Sequence, residues 1–329
     1  MNNEMINGKS LKEIIKTLLF GRDSSDRIFA AHLLGRDGNP KVVDGLIKGY
    51  KQEKDQEVKG EIIVSLGLTR AKKAMAKLLN ILNFEPDLRL KKKAIWSLSK
   101  NQPRNEIIEP IENLLLTDNH SDIRQESASA LGRLKSQQSL GTLEDALTLE
   151  PSPSVKKQIV WSLTQIEHPK VVQILVKVLP QELNPEVRSE IIWALSDLGT
   201  PSAAEELTRH LKLEHDPKII QLTVWAIGRI DSPLEVDTFH QILDDETFPK
   251  EIHSEIIWLL GRKRHTQSSQ KLTKFLSGDD QDLKRLAIWA LGQMSGEEIL
   301  DVLEKAREAE KNAEIQRELD WIINEIKNR

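Results

Sequence analysis

Residues 184–196 read Asn184-Pro185-Glu186-Val187-Arg188-Ser189-Glu190-Ile191-Ile192-Trp193-Ala194-Leu195-Ser196. Asparagine is a helix N-cap residue, because its side-chain oxygen accepts a hydrogen bond from an orphan N–H of the first turn. Proline fits the next position, where its missing N–H would have had no partner anyway. Val187, Ile191 and Leu195 then recur every fourth residue, which is one apolar stripe of a helix. The stretch therefore starts a helix that buries one side, and Trp193 lies off that stripe.

The phrase returns along the chain. The seven tryptophans, Trp96, Trp161, Trp193, Trp225, Trp258, Trp289 and Trp321, are spaced 65, 32, 32, 33, 31 and 32 residues apart. With tryptophan as position zero, the series extends back to Val64 and His32, and Ser129 fills the one gap, giving ten units. A fixed period of roughly 20–50 residues marks a solenoid of stacked supersecondary units. Position −9 carries a capping residue in Asp23, Asp55, Asp87, Ser152, Asn184, Asp216, Asp280 and Asn312. Apolar residues hold −6, −2 and +2. Glycine at +3 (Gly35, Gly67, Gly132, Gly228, Gly261, Gly292) suits either helix termination or close packing. Apolar residues at 3–4 spacing between these helices predict a first helix per unit, as over 169–178, 202–211, 234–243 and 297–305.

Composition bounds the rest. The chain has 329 residues, 30% charged and 39% hydrophobic, with a formal charge of −4. That is enough apolar material for a long core, with no global nucleic-acid or membrane signature. Cysteine is absent, which removes disulfides and thiolate chemistry and fits a reducing compartment. The first twenty residues lack a signal-peptide pattern, and no apolar run reaches the roughly 18–20 residues that span a bilayer. The expectation is a cytoplasmic protein with one repeat domain over residues 1–329. Residues 1–8 are expected to be flexible, and residues 296–329 to form a C-terminal capping repeat, with Asp320 where other repeats are apolar.

The combination of Asn184-Pro185-Glu186-Val187-Arg188 with Trp193-Ala194-Leu195-Ser196 resembles the HEAT repeat, in the short form found in phycobilisome lyases and many bacterial scaffolds. The resemblance covers residues 10–328. It implies an all-α fold, a right-handed α-α superhelix of about ten two-helix repeats, whose second helices line the concave surface. It implies no single function, since such folds host many tasks.

Three columns bear on function. At −5, Arg27, Lys59, Lys91, Arg124, Lys156, Arg188 and Lys284 are basic, with His253 as an eighth polar member. They read as cations paired with acidic caps or turns of their own or neighbouring repeats. Position zero lies about 145° from the apolar stripe at 100° per residue, so the tryptophans face away from their own first helix. Such a row either recognises a partner or packs repeat on repeat, and one indole can do both. The −4 and +4 columns flank it with nine basic and two acidic residues, which predicts a groove more basic than the rest of the molecule. Some of that charge can serve internal cation–π contacts. The candidate partner-binding residues are Trp161, Trp193, Trp225, Trp258, Trp289 and Trp96, with Lys157, Arg229, Arg262 and Arg285.

No catalytic or metal-binding constellation accompanies them. GxGxxG, GxxxxGK[ST], HExxH and GxSxG are missing, and the eight histidines show no ligand spacing. No catalytic residue, metal or cofactor is assigned. The leading reading is a non-catalytic scaffold holding a protein or peptide partner, acidic in character. The resemblance implies an alternative, a phycobilin lyase or lyase-like subunit, and only there does a bilin enter. A nucleic-acid partner is a third reading, disfavoured by the net charge. No membrane partner is expected.

Overall fold

Each repeat is short because two helices of eight to fifteen residues suffice to close one layer of core. The computed structural model describes residues 5, 6, 9–36, 40–100, 105–230, 234–294 and 296–328. From Leu11 onward every regular element among them is helical, with twenty α-helices. The even-numbered ones are the second helices: α2 (Ser24–Gly35), α4 (Gln56–Thr69), α6 (Leu88–Leu98), α8 (Ser121–Arg133), α10 (Pro153–Thr164), α12 (Pro185–Leu198), α14 (Pro217–Arg229), α16 (Lys250–Arg262), α18 (Gln281–Gln293) and α20 (Ala313–Lys327). All ten zero positions, from His32 to Trp321, fall inside these ten helices. The first helices match the expected spans closely: α11 (Lys170–Val178), α13 (Pro201–Leu211), α15 (Leu234–Leu243) and α19 (Glu297–Ala309).

One element had no signal in the sequence. Met5–Ile6 pairs antiparallel with Lys9–Ser10, ahead of α1 (Leu11–Phe20). Ser10 and Glu13 then close a capping box, with the Ser10 N–H donating to Glu13 Oε2 at 2.8 Å. The rest of the stretch expected to be flexible, residues 1–4, 7 and 8, lies outside the described residues, as does Arg329.

The chain forms two compact units, Met1–Ile174 and Leu175–Arg329, the division falling within α11. Within each unit the second helices pack on the next second helix, and α2 to α10 and α14 to α20 also pack on their own first helices. The apolar stripe accounts for the core: Val155, Ile159 and Leu163 in α10 and Val187, Ile191 and Leu195 in α12 are fully buried.

The +3 glycines sit inside or at the last residue of their helices, so close packing rather than termination explains them. A Cβ on Gly132 would lie 2.8 Å from the Ser162 Cα, and one on Gly261 would lie 2.7 Å from the Ala290 Cα. Backbone approach that close requires glycine. Ser162 Oγ also donates to the Ala128 carbonyl at 2.8 Å, tying α10 to α8.

The caps largely follow the sequence. Asp55, Asp87, Asn184, Asp216, Asp280 and Asn312 each accept from backbone N–H groups of their first turn, whereas Asp23 and Ser152 make no such bond. Among the described residues, no helix is long and apolar enough to cross a membrane.

Candidate functional site

The indoles are neither buried nor free. Trp161 and Trp193 are 37% and 45% exposed, Trp321 on the last helix is 64% exposed, and Trp96, Trp225, Trp258 and Trp289 are half-buried. Their covers can be named. In the second unit, the Trp193 and Trp225 rings meet at 4.4 Å between centroids, tilted by 58°. A Cβ on Gly261 would touch Trp289 Cζ3 at 2.9 Å, so that indole lies across the preceding repeat. The column thus stacks repeats and keeps part of its surface open, most of all at Trp161 and Trp193 within the array.

The cations of the +4 column fold back one turn onto these rings. Lys100 lies 4.7 Å from the Trp96 centroid, Arg229 4.9 Å from Trp225 and Arg262 5.1 Å from Trp258. Residues four apart share a helix face, which puts each cation over its own indole. Where Ser129 replaces tryptophan, Arg133 occupies the space instead. It donates to Ser99 Oγ and Ser129 Oγ and pairs with Glu126. In the −4 column, Lys92 pairs with Asp122, and Arg285 holds both Glu314 and Glu318 at 2.9 Å. Arg229 also reaches Asp197 at 3.6 Å. Much of the basic excess counted along the groove is therefore spent inside the chain.

The −5 column is structural, though its partners are not the caps themselves. Arg27 pairs with Glu53, Lys91 with Asp118, Arg124 with Glu150, Arg188 with Glu214 and Lys284 with Glu310. Each acid stands at −11 of the following repeat, two residues before its cap. Glu53, Glu150, Glu214 and Glu310 also accept from N–H groups at the cap itself, Asp55, Ser152, Asp216 and Asn312. One carboxylate thus satisfies the turn of its own repeat and the cation of the repeat before.

Burial alone would raise these carboxyls. For Glu53, Glu150 and Glu214 the cation and the backbone N–H bonds outweigh it, and each is held below the usual carboxylate range. Column −11 reads Glu53, Glu85, Asp118, Glu150, Glu182, Glu214 and Glu310, a periodic acid that the repeat alignment carries two residues before the caps. Where it breaks, at Thr247 and Gly278, the preceding −5 residue changes too, to Ile220 and His253. His253 is buried and turns its Nε2 to the Ile242 and Asp245 carbonyls at 3.0 and 3.2 Å.

Comparison with known proteins fits this geometry. Residues 11–99, 75–151, 142–228, 181–252 and 236–320 match the family described as HEAT repeats. The chain belongs to the HEAT-repeat family. No curated protein matches it. Among solved structures it is similar to a Kap121p mutant, at a TM-score of 0.66 and 12% identity over 95% of this chain and 41% of that one. Kap121p bound to RanGTP gives 0.67 and 11%, covering 96% and 41%. The chain thus spans about two fifths of Kap121p, and the likeness shows an α-solenoid fold. The CpcE–CpcF complex of phycocyanin lyase from Nostoc sp. PCC7120 is matched at 0.39 and 19%, covering 72% and 95%. So low a score carries no argument about activity.

Proposed function

We propose that this HEAT-repeat chain is a non-catalytic scaffold that holds a protein or peptide partner against the second-helix face. Each unit has its own contact anchor on that face, Trp161 in the first and Trp193 in the second. Trp96, Trp225, Trp258 and Trp289 shape the surface around them, with Lys157, Arg229, Arg262 and Arg285 at their sides. The observation that carries the reading is that mid-array indoles are 37% and 45% exposed while their neighbours are packed. Large aromatic surface left in water on one face of a solenoid marks an interaction site, and tryptophan is enriched among residues that dominate binding energy. Support also comes from Kap121p, which shares the fold and has been solved bound to Ste12p and to Nup53p.

The test is affinity capture from the source cell with the wild-type chain and with the Trp161→Ala/Trp193→Ala variant, read by quantitative mass spectrometry. The proteins enriched by the wild type should be lost by the variant while circular dichroism and melting stay unchanged. Capture of the same proteins by a folded variant refutes the reading.

A further inference from the structure

The charge beside the most open mid-array indole is negative. Trp225 is enclosed, with Trp193 at 4.4 Å on one side and Arg229 at 4.9 Å on another. Among the described residues no cation lies over Trp193, which is 45% exposed. One turn to either side of it on α12 stand Ser189, Glu190 and Asp197, of which Asp197 is paired with Arg229 at 3.6 Å. Glu190 is half-buried and has no ion pair or hydrogen bond among the described residues. Residues three apart on a helix are neighbours, so its carboxylate flanks the indole.

Two repeats further, Glu255 on α16 is also half-buried and, among the described residues, unpaired, and burial holds its carboxyl above the usual range. The repeat register places it: His32 at position zero meets Glu61, which stands at −3 of the next repeat, at 3.1 Å. Glu255 is the −3 residue following Trp225. Three cations of this face are already engaged, Arg229 and Arg262 on their indoles and Arg285 with Glu314 and Glu318. An unpaired half-buried carboxylate costs stability, and two of them beside an indole column are the electrostatic complement of a positively charged ligand.

We infer that the partner is basic at this face: a lysine or arginine side chain stacks on Trp193 with Glu190 as its counter-ion, and a second meets Glu255. This rests on the second-helix face being the partner-binding surface, and it reverses the acidic partner expected from counting columns. Adjacent helices lie about 8–10 Å apart, so repeats six and eight are about 16–20 Å apart. An extended chain rises about 3.3 Å per residue, which sets the two cations five or six residues apart.

The test uses the full chain and three twelve-residue glycine–serine peptides, bearing lysine at positions 3 and 9, glutamate at the same positions, or neither. Binding is read by tryptophan fluorescence and by calorimetry at low and high salt. The lysine peptide should bind, weaken with salt, lose about fivefold in affinity with Trp193→Leu and about threefold with Glu190→Gln or Glu255→Gln. Trp193→Leu keeps apolar cover over Trp225, and its melting curve reports whether the fold is intact. No binding by the lysine peptide overturns the inference, as does binding that survives all three substitutions. Preferential binding of the glutamate peptide, dependent on Trp193, overturns the charge assignment but leaves the scaffold reading standing.

Discussion

Removing one ionic rung between repeats should cost more than a surface salt bridge and less than a fully buried one. Arg188 and Glu214 form the clearest case. Nε donates to Oε2 at 2.8 Å and Nη2 to Oε1 at 3.2 Å. Arg188 Nη1 reaches the Leu183 carbonyl at 2.9 Å, and Glu214 Oε1 accepts from the His215 and Asp216 N–H groups at 2.8 and 2.9 Å. The side chains are 15% and 6% exposed. Exposed pairs contribute about 0–1 kcal/mol, and breaking a buried one costs about 3–5. Glu214→Ala strands a guanidinium and two N–H groups, so a loss of about 2–4 kcal/mol is expected. Glu214→Gln keeps an acceptor for the N–H groups and should lose about half as much. Arg188→Ala combined with Glu214→Ala should cost less than the sum of the singles by about 1–3 kcal/mol.

The assay is urea unfolding followed by far-ultraviolet circular dichroism. With a slope near 3 kcal/mol/M, a loss of 3 kcal/mol moves the midpoint by about 1 M. If Glu214→Ala shifts it by less than about 0.2 M, or the double variant equals the sum of the singles, the rung carries no coupling and the column is solvated decoration.

Three other outcomes follow from the same geometry. The rung carboxyls of Glu53, Glu150 and Glu214 are held below the ordinary value of about 4.3. Their contribution is therefore complete above that pH and is lost as pH falls through the lower folded values, so melting temperature should be level from pH 7 to 5 and drop below pH 4. Gly132→Ala places a Cβ 2.8 Å from the Ser162 Cα and should destabilise by about 1–3 kcal/mol in urea titration. Arg264 follows α16 with φ at 54°, where Gly199 stands after α12 with φ at 61°. Arg264→Gly should raise the urea midpoint, by about 0.5–1 kcal/mol in stability, and a fall would refute the strain argument.

Periodicity and caps were legible because they are local. An N-cap followed by residues four apart places a helix whatever lies beside it, which is why every zero position landed in a second helix. Pairings between repeats were less legible, since they need to be read across two rows of the alignment at once. The acids at −11 carry no separate local signal, because a cap residue two positions later already accounts for the turn. The fate of the groove cations was hidden for a similar reason. Whether Arg229 faces solvent or the Trp225 ring depends on a side-chain rotation that spacing does not specify. Exposure of the indoles depends on the residue that faces them from a neighbouring second helix, such as Trp225 beside Trp193 or Gly261 beside Trp289.

Arg133 filling the place of a missing indole has a wider meaning. Ten near-copies of one helix pair amount to a substitution series already carried out within a single molecule. His32, Val64 and Ser129 occupy the tryptophan position in helices of similar length and the same register as the others, with Gly35, Gly67 and Gly132 at the same close approach. The helix pair therefore forms with an imidazole, an isopropyl group or a hydroxyl at that point. What six interior and terminal repeats beyond Ser129 share with Trp96 is a choice that the backbone does not demand.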